Sequence, residues 1–478
     1  MEKHFEDNKY LAGLFYFYLF IAAVILLLYG KTLYFGFTWF DDDWLILSQA
    51  PYYANHANLL KTFSSSIIPW EYCYYRPVLI ISFFADYFVS AGTMEPVFYH
   101  FNNIILHICS TFLLFYLLNS FLSFSKIKSV AWSVIFACHP ALTQAVAWIP
   151  GRNDSLLALF VLLSFIFYVK ALNSKKFFYG LLCVLFWAAA LFTKENAIVL
   201  PLFFVLYWFT AHKMQNGFRL GGRNDIWIKT AFFLLIVAVL SVYIYLRTAV
   251  LGKFTPSINY SAIILNMPAI LTIYIGKIFI PVNLSVIPFM PDSKLVYGLS
   301  VSAILLILFL FVFKIENKRL FYFGLAWFFL FLLPALIPLQ SVMLEHRLYL
   351  PLIGLIISLG QISVPKLKTL SPKIKTFAFS AVFIFFFITA FKHSSAFSDP
   401  LTFWQKAASS APSYYAVYTN LGKVYLENEL NLDMAEACLI KADEIRSDKT
   451  TKDNLEKIHE IRNAGGIDEY IKQIKENR

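Results

Sequence analysis

Apolar runs close to the ~20 residues needed to cross a bilayer recur along this chain, and nothing else in it limits the fold so strongly. They fall at 10–29, 97–122, 177–192, 197–211, 230–246, 296–313, 320–337, 348–364 and 377–391, with two more on either side of His139-Pro140. Of 478 residues 59% are hydrophobic and 14% charged, against about a quarter charged in a soluble domain. A membrane β-barrel would instead alternate in segments of about ten residues. The expected fold is an all-α polytopic membrane protein with about eleven transmembrane helices. The net charge of +11 falls in alternate loops, as the positive-inside rule requires, so nucleic acid is not an expected partner; membrane lipids are. Cys73, Cys109, Cys138, Cys183 and Cys438 show neither zinc-type spacing nor a disulfide framework. Charged residues 1–9 precede a long run without a small-residue cleavage site, so they are expected to lead a retained first helix.

Taken in order, residues 30–75 form an extracytoplasmic loop carrying Asp41-Asp42-Asp43. The short apolar stretch 77–89, opened by Arg76-Pro77 and containing Asp86, is expected as a helix along the outer surface. Pro140 is expected to break or kink its span. Residues 268–280 are expected as a surface or re-entrant helix, because counting them as a span would place Lys314, Lys318 and Arg319 outside. After Lys392 the composition becomes that of a small soluble domain, giving an expected division into 1–392 and 393–478, the latter outside the cytoplasm. Tyr418, Leu421, Gly422, Tyr425, Ala435, Leu439 and Ala442 resemble one tetratricopeptide-type hairpin with a one-residue insertion in its turn. A single such unit cannot bury its own face, so it should pack on a neighbour such as 454–461 or on the membrane part.

Ionisable side chains cost about 2.5–3.5 kcal/mol at mid-bilayer, so their positions suggest a site. Asp41, Asp42, Asp43, Glu71, Arg76, Asp86, His100, Arg152, Asp154, Lys194, Glu195, Glu345 and Arg347 all map to the outer half. Three adjacent carboxylates repel one another and one can hold its proton tightly, as a general base does. His100, Asn103 and His107 share one helix face but stand too far apart along it for both histidines to bind one ion; helix–helix hydrogen bonding is their expected role. The run Glu345-His346-Arg347-Leu348-Tyr349-Leu350-Pro351 brings several polar groups into a span together, and arginine suits bidentate phosphate contacts. Chemistry on the outer side argues against ATP or a nucleotide sugar, and no Gly-rich phosphate loop is present.

Phe40-Asp41-Asp42, Tyr75-Arg76-Pro77, His100-x-x-Asn103-x-x-x-His107, His139-Pro140, Gly151-Arg152-x-Asp154, Lys194-Glu195 and the Glu345–Pro351 run occur in the order found in TMTC-like proteins, which the chain resembles over most of its membrane part. These carry tetratricopeptide repeats and belong to the GT-C superfamily of polyprenyl-phosphate-sugar glycosyltransferases. The resemblance implies a mannose-like sugar on a polyprenyl monophosphate as donor and a Ser/Thr hydroxyl of a translocated protein as acceptor. It implies inversion, no required metal and no cofactor. By position Asp41 would be the base and Asp42 its partner or substitute. Arg347 would hold the lipid phosphate, with His346 or Arg152. Arg76, His100, Asn103, His107, His139, Asp154, Lys194, Glu195, Glu345 and Tyr349 would support the site. Many relatives have an acid after the threonine that follows His-Pro; here Gln144 stands there, so no base is expected at that point. The tail has room for one or two repeats.

Three other readings follow from the same residues: transfer of the sugar to a lipid or surface polysaccharide, a lipid-sugar flippase, and a non-catalytic scaffold. A flippase calls for polar groups through both leaflets, and a scaffold leaves the outer acids and bases without purpose. The expected location is a bacterial inner membrane, with the endoplasmic reticulum as the alternative, and the acceptor protein is expected to touch the C-terminal helices.

Overall fold

The computed structural model describes residues 2–65, 74–174, 176–212, 223–252, 260–337, 341–365, 369 and 371–476; Glu71 and Cys73 lie outside them. Among the described residues the chain is helical apart from one two-residue antiparallel pair and one isolated bridge. The membrane part comprises α1 (Glu2–Tyr29), α2 (Pro77–Val89), α3 (Pro96–Ser120), α4 (Lys126–Ala137), α5 (Arg152–Ser174), α6 (Phe177–Thr193), α7 (Leu200–Tyr207), α8 (Arg223–Leu251), α9 (Tyr260–Phe279), α10 (Leu295–Phe311), α11 (Lys318–Leu332), α12 (Tyr349–Leu359) and α13 (Pro372–Ser394). Helix starts follow from local chemistry. Pro77, Pro96 and Pro372 occupy first turns, where the missing N–H costs nothing. Ser125 and Ser371 cap α4 and α13 by accepting from Lys128 N and Ile374 N.

Six described helices are long and apolar enough to cross a membrane, and the pair Lys126–Ala137 with Pro140–Ala147, bent by 54°, makes a seventh. This is an all-α polytopic membrane protein. The expected total of eleven is not reached by length and composition, because Phe177–Thr193 and Leu295–Phe311 among others are shorter apolar helices. The bend falls at His139-Pro140, as expected: Pro140 cannot continue the α4 hydrogen-bond ladder.

The stretch 268–280, expected as a surface or re-entrant helix, lies within α9 apart from its last residue. α9 runs for 20 residues and packs on α10 at a glycine pair. A Cβ added at Gly298 would stand 1.8 Å from the Thr272 carbonyl oxygen, and one at Gly276 would stand 2.9 Å from Gly298 N. The two backbones therefore touch, as small residues at membrane helix contacts allow. Gly298→Ala is expected to push the helices apart and cost about 1–3 kcal/mol. Thermal unfolding of the purified variant in detergent measures this, and an unchanged Tm would contradict the contact. At the far end of α10 and α12, β1 (Lys314–Ile315) pairs with β2 (Ile362–Ser363).

Five further helices follow: α14 (Pro400–Ser410), α15 (Tyr415–Glu427), α16 (Leu432–Ile445), α17 (Lys449–Asn463) and α18 (Ile467–Glu476). α15 and α16 form the expected hairpin, with Gly422 so close to Leu439 that a Cβ would meet its Cγ at 2.7 Å. The extra turn residue is absorbed by Leu430, whose φ is +53°. The apolar face is closed from both sides. Leu426, Ala435 and Leu439 pack against Ile458 and Ile461 of α17. Phe403, Trp404, Val417 and Leu421 share a core with Trp148, Val286 and Ile287 of the membrane part.

Candidate active site

The acidic turn is held from two directions. Trp148 Nε1 donates to the Phe40 carbonyl at 2.8 Å. The Phe40 ring stacks on Trp148 at 5.0 Å and on Phe403 of α14 at 5.4 Å. Gly36 N donates to the Ser398 carbonyl at 2.7 Å, and Lys423 of α15 lies 3.6 Å from Asp43. These contacts fix a backbone that free peptide avoids: Trp39 and Asp41 have φ of +59° and +67°. Such conformations cost of order 1–3 kcal/mol each and persist where surroundings enforce them.

The three aspartates differ. Asp42 is fully buried, with Oδ2 accepting from Thr38 N at 2.7 Å and Thr38 Oγ1 at 3.0 Å. Asp43 accepts from Trp44 N and faces Lys423. Asp41 is only partly buried. Burial of its carboxyl, against a hydrogen bond from Trp44, repulsion from Asp43 and attraction from Arg76, leaves it pushed up to about 7. Asp42 is likewise pushed up to about 7, chiefly by burial. Asp41 is partly exposed where Asp42 is fully buried, and its raised proton affinity suits a base near neutrality.

Arg76 makes a bidentate contact with Glu195, 3.1 Å from Nε to Oε2 and 2.7 Å from Nη2 to Oε1, and lies over the Tyr74 ring. Lys194 Nζ donates to both oxygens of Asp154, at 2.8 and 2.7 Å, and to Asn153 Oδ1 at 3.1 Å. His346 Nε2 stands 3.5 Å from Asp154 Oδ2, and Arg347 and Arg76 both act electrostatically on Asp154. Arg76, Lys194, Glu195, Asp154, His346 and Arg347 are therefore one group. The Arg347 guanidinium has no hydrogen bond or ion pair among the described residues.

Gln144 organises the Glu345–Leu348 turn. Its Oε1 accepts from Glu345 N at 3.0 Å, His346 N at 3.2 Å and His346 Nδ1 at 3.1 Å, while its Nε2 donates to the Val286 carbonyl at 3.0 Å. Glu345 Oε1 is bound by Lys277 Nζ and by Ser285 N, the latter at 2.9 Å; its Oε2 stands 3.5 Å from His393 Nε2. Lys277 and His393 went unrecognised in the sequence, and Gln144 was noted only as standing where relatives have an acid. Lys277 carried a usable signal, an ionisable group in an apolar stretch.

Several supporting residues have structural partners. Arg152, expected as an alternative phosphate ligand, is instead buried and paired with Asp86, and donates to Asn103 Oδ1 at 2.8 Å and the Tyr99 carbonyl at 2.7 Å. Its guanidinium is spent on joining α2, α3 and α5. Asn103 Nδ2 reaches the carbonyls of Val146, Trp148 and Ile149. His107 binds Tyr349 Oη at 2.7 Å and the Ala137 carbonyl at 3.1 Å. His139 Nε2 meets the Ile278 carbonyl at 3.0 Å, and His100 Nε2 lies 3.4 Å from the Gly36 carbonyl. His107 thus joins α3 to α4 and α12, as expected of it, while His139 ties the break after α4 to α9 and His100 reaches the loop at Gly36.

No protein-family model matches the chain, and no solved structure matches it. Among curated proteins, it is 32% identical over 182 residues to the protein O-mannosyl-transferase Tmtc1 of Drosophila melanogaster, covering 37% of this chain and 21% of that protein. It is 34% identical over 143 residues to human protein O-mannosyl-transferase TMTC4, covering 26% and 19%. Identity with human protein O-mannosyl-transferase TMTC2 is 37% over 107 residues, covering 21% and 12%. The matched segments thus span at most about a fifth of these relatives' length. Over those segments the chain is TMTC-like, in keeping with the motif order read from its sequence.

Proposed function

We propose that this protein is a membrane glycosyltransferase that moves a mannose-like sugar from a polyprenyl-phosphate carrier to a Ser/Thr hydroxyl of a protein. One observation carries the reading: a partly exposed Asp41 with raised proton affinity feels the charge of Arg76, a member of the cationic group whose Arg347 guanidinium is uncommitted among the described residues. Asp41 removes the hydroxyl proton as the oxygen attacks the anomeric carbon from the face opposite the phosphate. The bond from that carbon to the phosphate oxygen breaks, and the configuration inverts. Arg347, with Lys194 and Arg76 behind it, stabilises charge gathering on the departing polyprenyl phosphate. Asp42, tied to Thr38, holds the turn and sets the charge beside the base. The reading needs no metal.

The names of the relatives favour a protein acceptor, and α14 and α15 seated on the acidic turn give such an acceptor a surface to approach. The site would face away from the cytoplasm, in a bacterial inner membrane as first expected or in the endoplasmic reticulum. Purified protein, polyprenyl-phosphate mannose and an acceptor protein should yield a glycosylated acceptor by intact-mass measurement. Labelled sugar appearing in lipid or polysaccharide instead would replace the acceptor assignment. Arg347→Ala is expected to raise KM for the donor about tenfold or more, the loss of a charged hydrogen bond of about 1.5–3 kcal/mol. Unchanged donor dependence would remove Arg347 from the phosphate site.

A further inference from the structure

The Gln144 amide settles a proton position that X-ray or sequence data ordinarily leave open. Two backbone N–H groups, of Glu345 and His346, point at one atom of its side chain. That atom must be an acceptor, so it is the amide oxygen; the amide nitrogen then donates to the Val286 carbonyl. The same oxygen lies 3.1 Å from His346 Nδ1. An amide oxygen only accepts, so Nδ1 carries a hydrogen, and the nitrogen left to gain or lose a proton is Nε2. Among the described residues Nε2 has no hydrogen bond; it faces Asp154 Oδ2 at 3.5 Å, and both oxygens of Asp154 are taken by Lys194.

We propose that Gln144 is the positioning residue that reserves His346 Nε2 for the anion received by Arg347, so that the imidazole takes a proton there as the anion arrives. This rests on the phosphate-donor reading above. The charged groups around His346 come from four elements: Asp154 at the start of α5, Lys194 after α6, Arg76 before α2, and Arg347 in its own turn. The Glu345 carboxylate is turned to Lys277 and Ser285 N, and Trp148 and Gln144 are neutral. Burial first, then Lys194, Arg347 and Arg76, hold the imidazole well below its ordinary value, so it is neutral in the empty site. A neutral Nε2 presents a lone pair, which repels a phosphate oxygen. A phosphate placed against Arg347 adds the negative charge that the three cations leave uncompensated, and the charged imidazole then becomes a donor to it. The proton comes from solvent, and no covalent bond to carbon or phosphorus changes.

The test is calorimetry of a short-chain polyprenyl phosphate, without sugar, binding to the full-length protein in detergent at pH 7.5. Two buffers of different ionisation enthalpy give the protons taken up per anion. The phosphate's own titration is common to all variants, so the comparison is with His346→Asn, which keeps an N–H for Gln144. Wild type is expected to take up about one proton more than His346→Asn. Gln144→Ala should bind the anion but lose that excess, because Nδ1, freed of its acceptor, lets the neutral imidazole carry its hydrogen on Nε2 beforehand. Equal proton counts in wild type and His346→Asn would overturn the role of His346 while leaving the donor reading standing. A wild-type proton count in Gln144→Ala would overturn the role of Gln144. No binding of the phosphate by wild type would overturn the donor reading and this inference with it.

Discussion

Asp41→Asn is expected to reduce sugar transfer by about 10²–10⁴-fold, the usual contribution of a positioned general base, with membrane expression intact. Asparagine has nearly the shape of aspartate and tolerates the left-handed backbone found at this position, where φ is +67°, so the turn should persist. Intact-mass measurement of a co-expressed acceptor reads the loss, and undiminished glycosylation would end the assignment of Asp41 as base. The pH dependence has a defined sign. A base whose carboxyl is pushed up to about 7 is mostly protonated, and idle, at pH 5, and becomes active as it loses its proton. Transfer should therefore rise with pH along a limb centred near 7. Because Asp42 is raised to about the same value, that limb belongs to the pair rather than to one residue. A profile flat from pH 5 to 8 would show that neither acid works as the base.

The largest loss of stability is expected from Asp86→Ala. Asp86 and Arg152 are both buried, at 0% and 1% side-chain exposure, and removing the acid strands a guanidinium that also ties Asn103 and the Tyr99 carbonyl. Breaking a buried pair in this way costs about 3–5 kcal/mol. Thermal unfolding in detergent should show a large fall in Tm, or the variant should fail to accumulate in the membrane. Replacing both partners, Asp86→Leu with Arg152→Met, should recover much of the loss, since two apolar side chains leave no buried charge. An Asp86→Ala protein as stable as wild type would mean that water reaches Arg152, contrary to its burial.

The turn around Asp41 shows how far the residues could be read one by one. Phe40-Asp41-Asp42 stood out because adjacent carboxylates repel one another and one of them can hold its proton tightly. What distinguishes the three acids lay outside the motif: Thr38 claims Asp42, and Lys423, 380 positions further on, claims Asp43. Arg152 and Arg347 looked alike as outer arginines. They differ because Asp86 on α2 reaches Arg152, whereas the turn that carries Arg347 directs its neighbour Glu345, and not Arg347, to Lys277. Gln144 looked like a lost acid, and its three accepted hydrogen bonds became visible only with the Glu345–Leu348 turn folded against it.

By itself the sequence determined the all-α membrane class, the break at His139-Pro140, the helical hairpin after α14 and the set of polar residues worth following. Hydrophobic run length, proline geometry and helical periodicity are local properties, so a linear string records them. The tertiary structure alone decided which buried charge finds which partner, that α9 is locked to α10 at Gly298, and that the C-terminal helices grip the acidic turn through Phe40. Each of these depends on groups far apart in sequence meeting at a few ångströms, where burial and charge pairing are short-ranged. That is the scale on which an arginine becomes a fastening or stays open for a ligand.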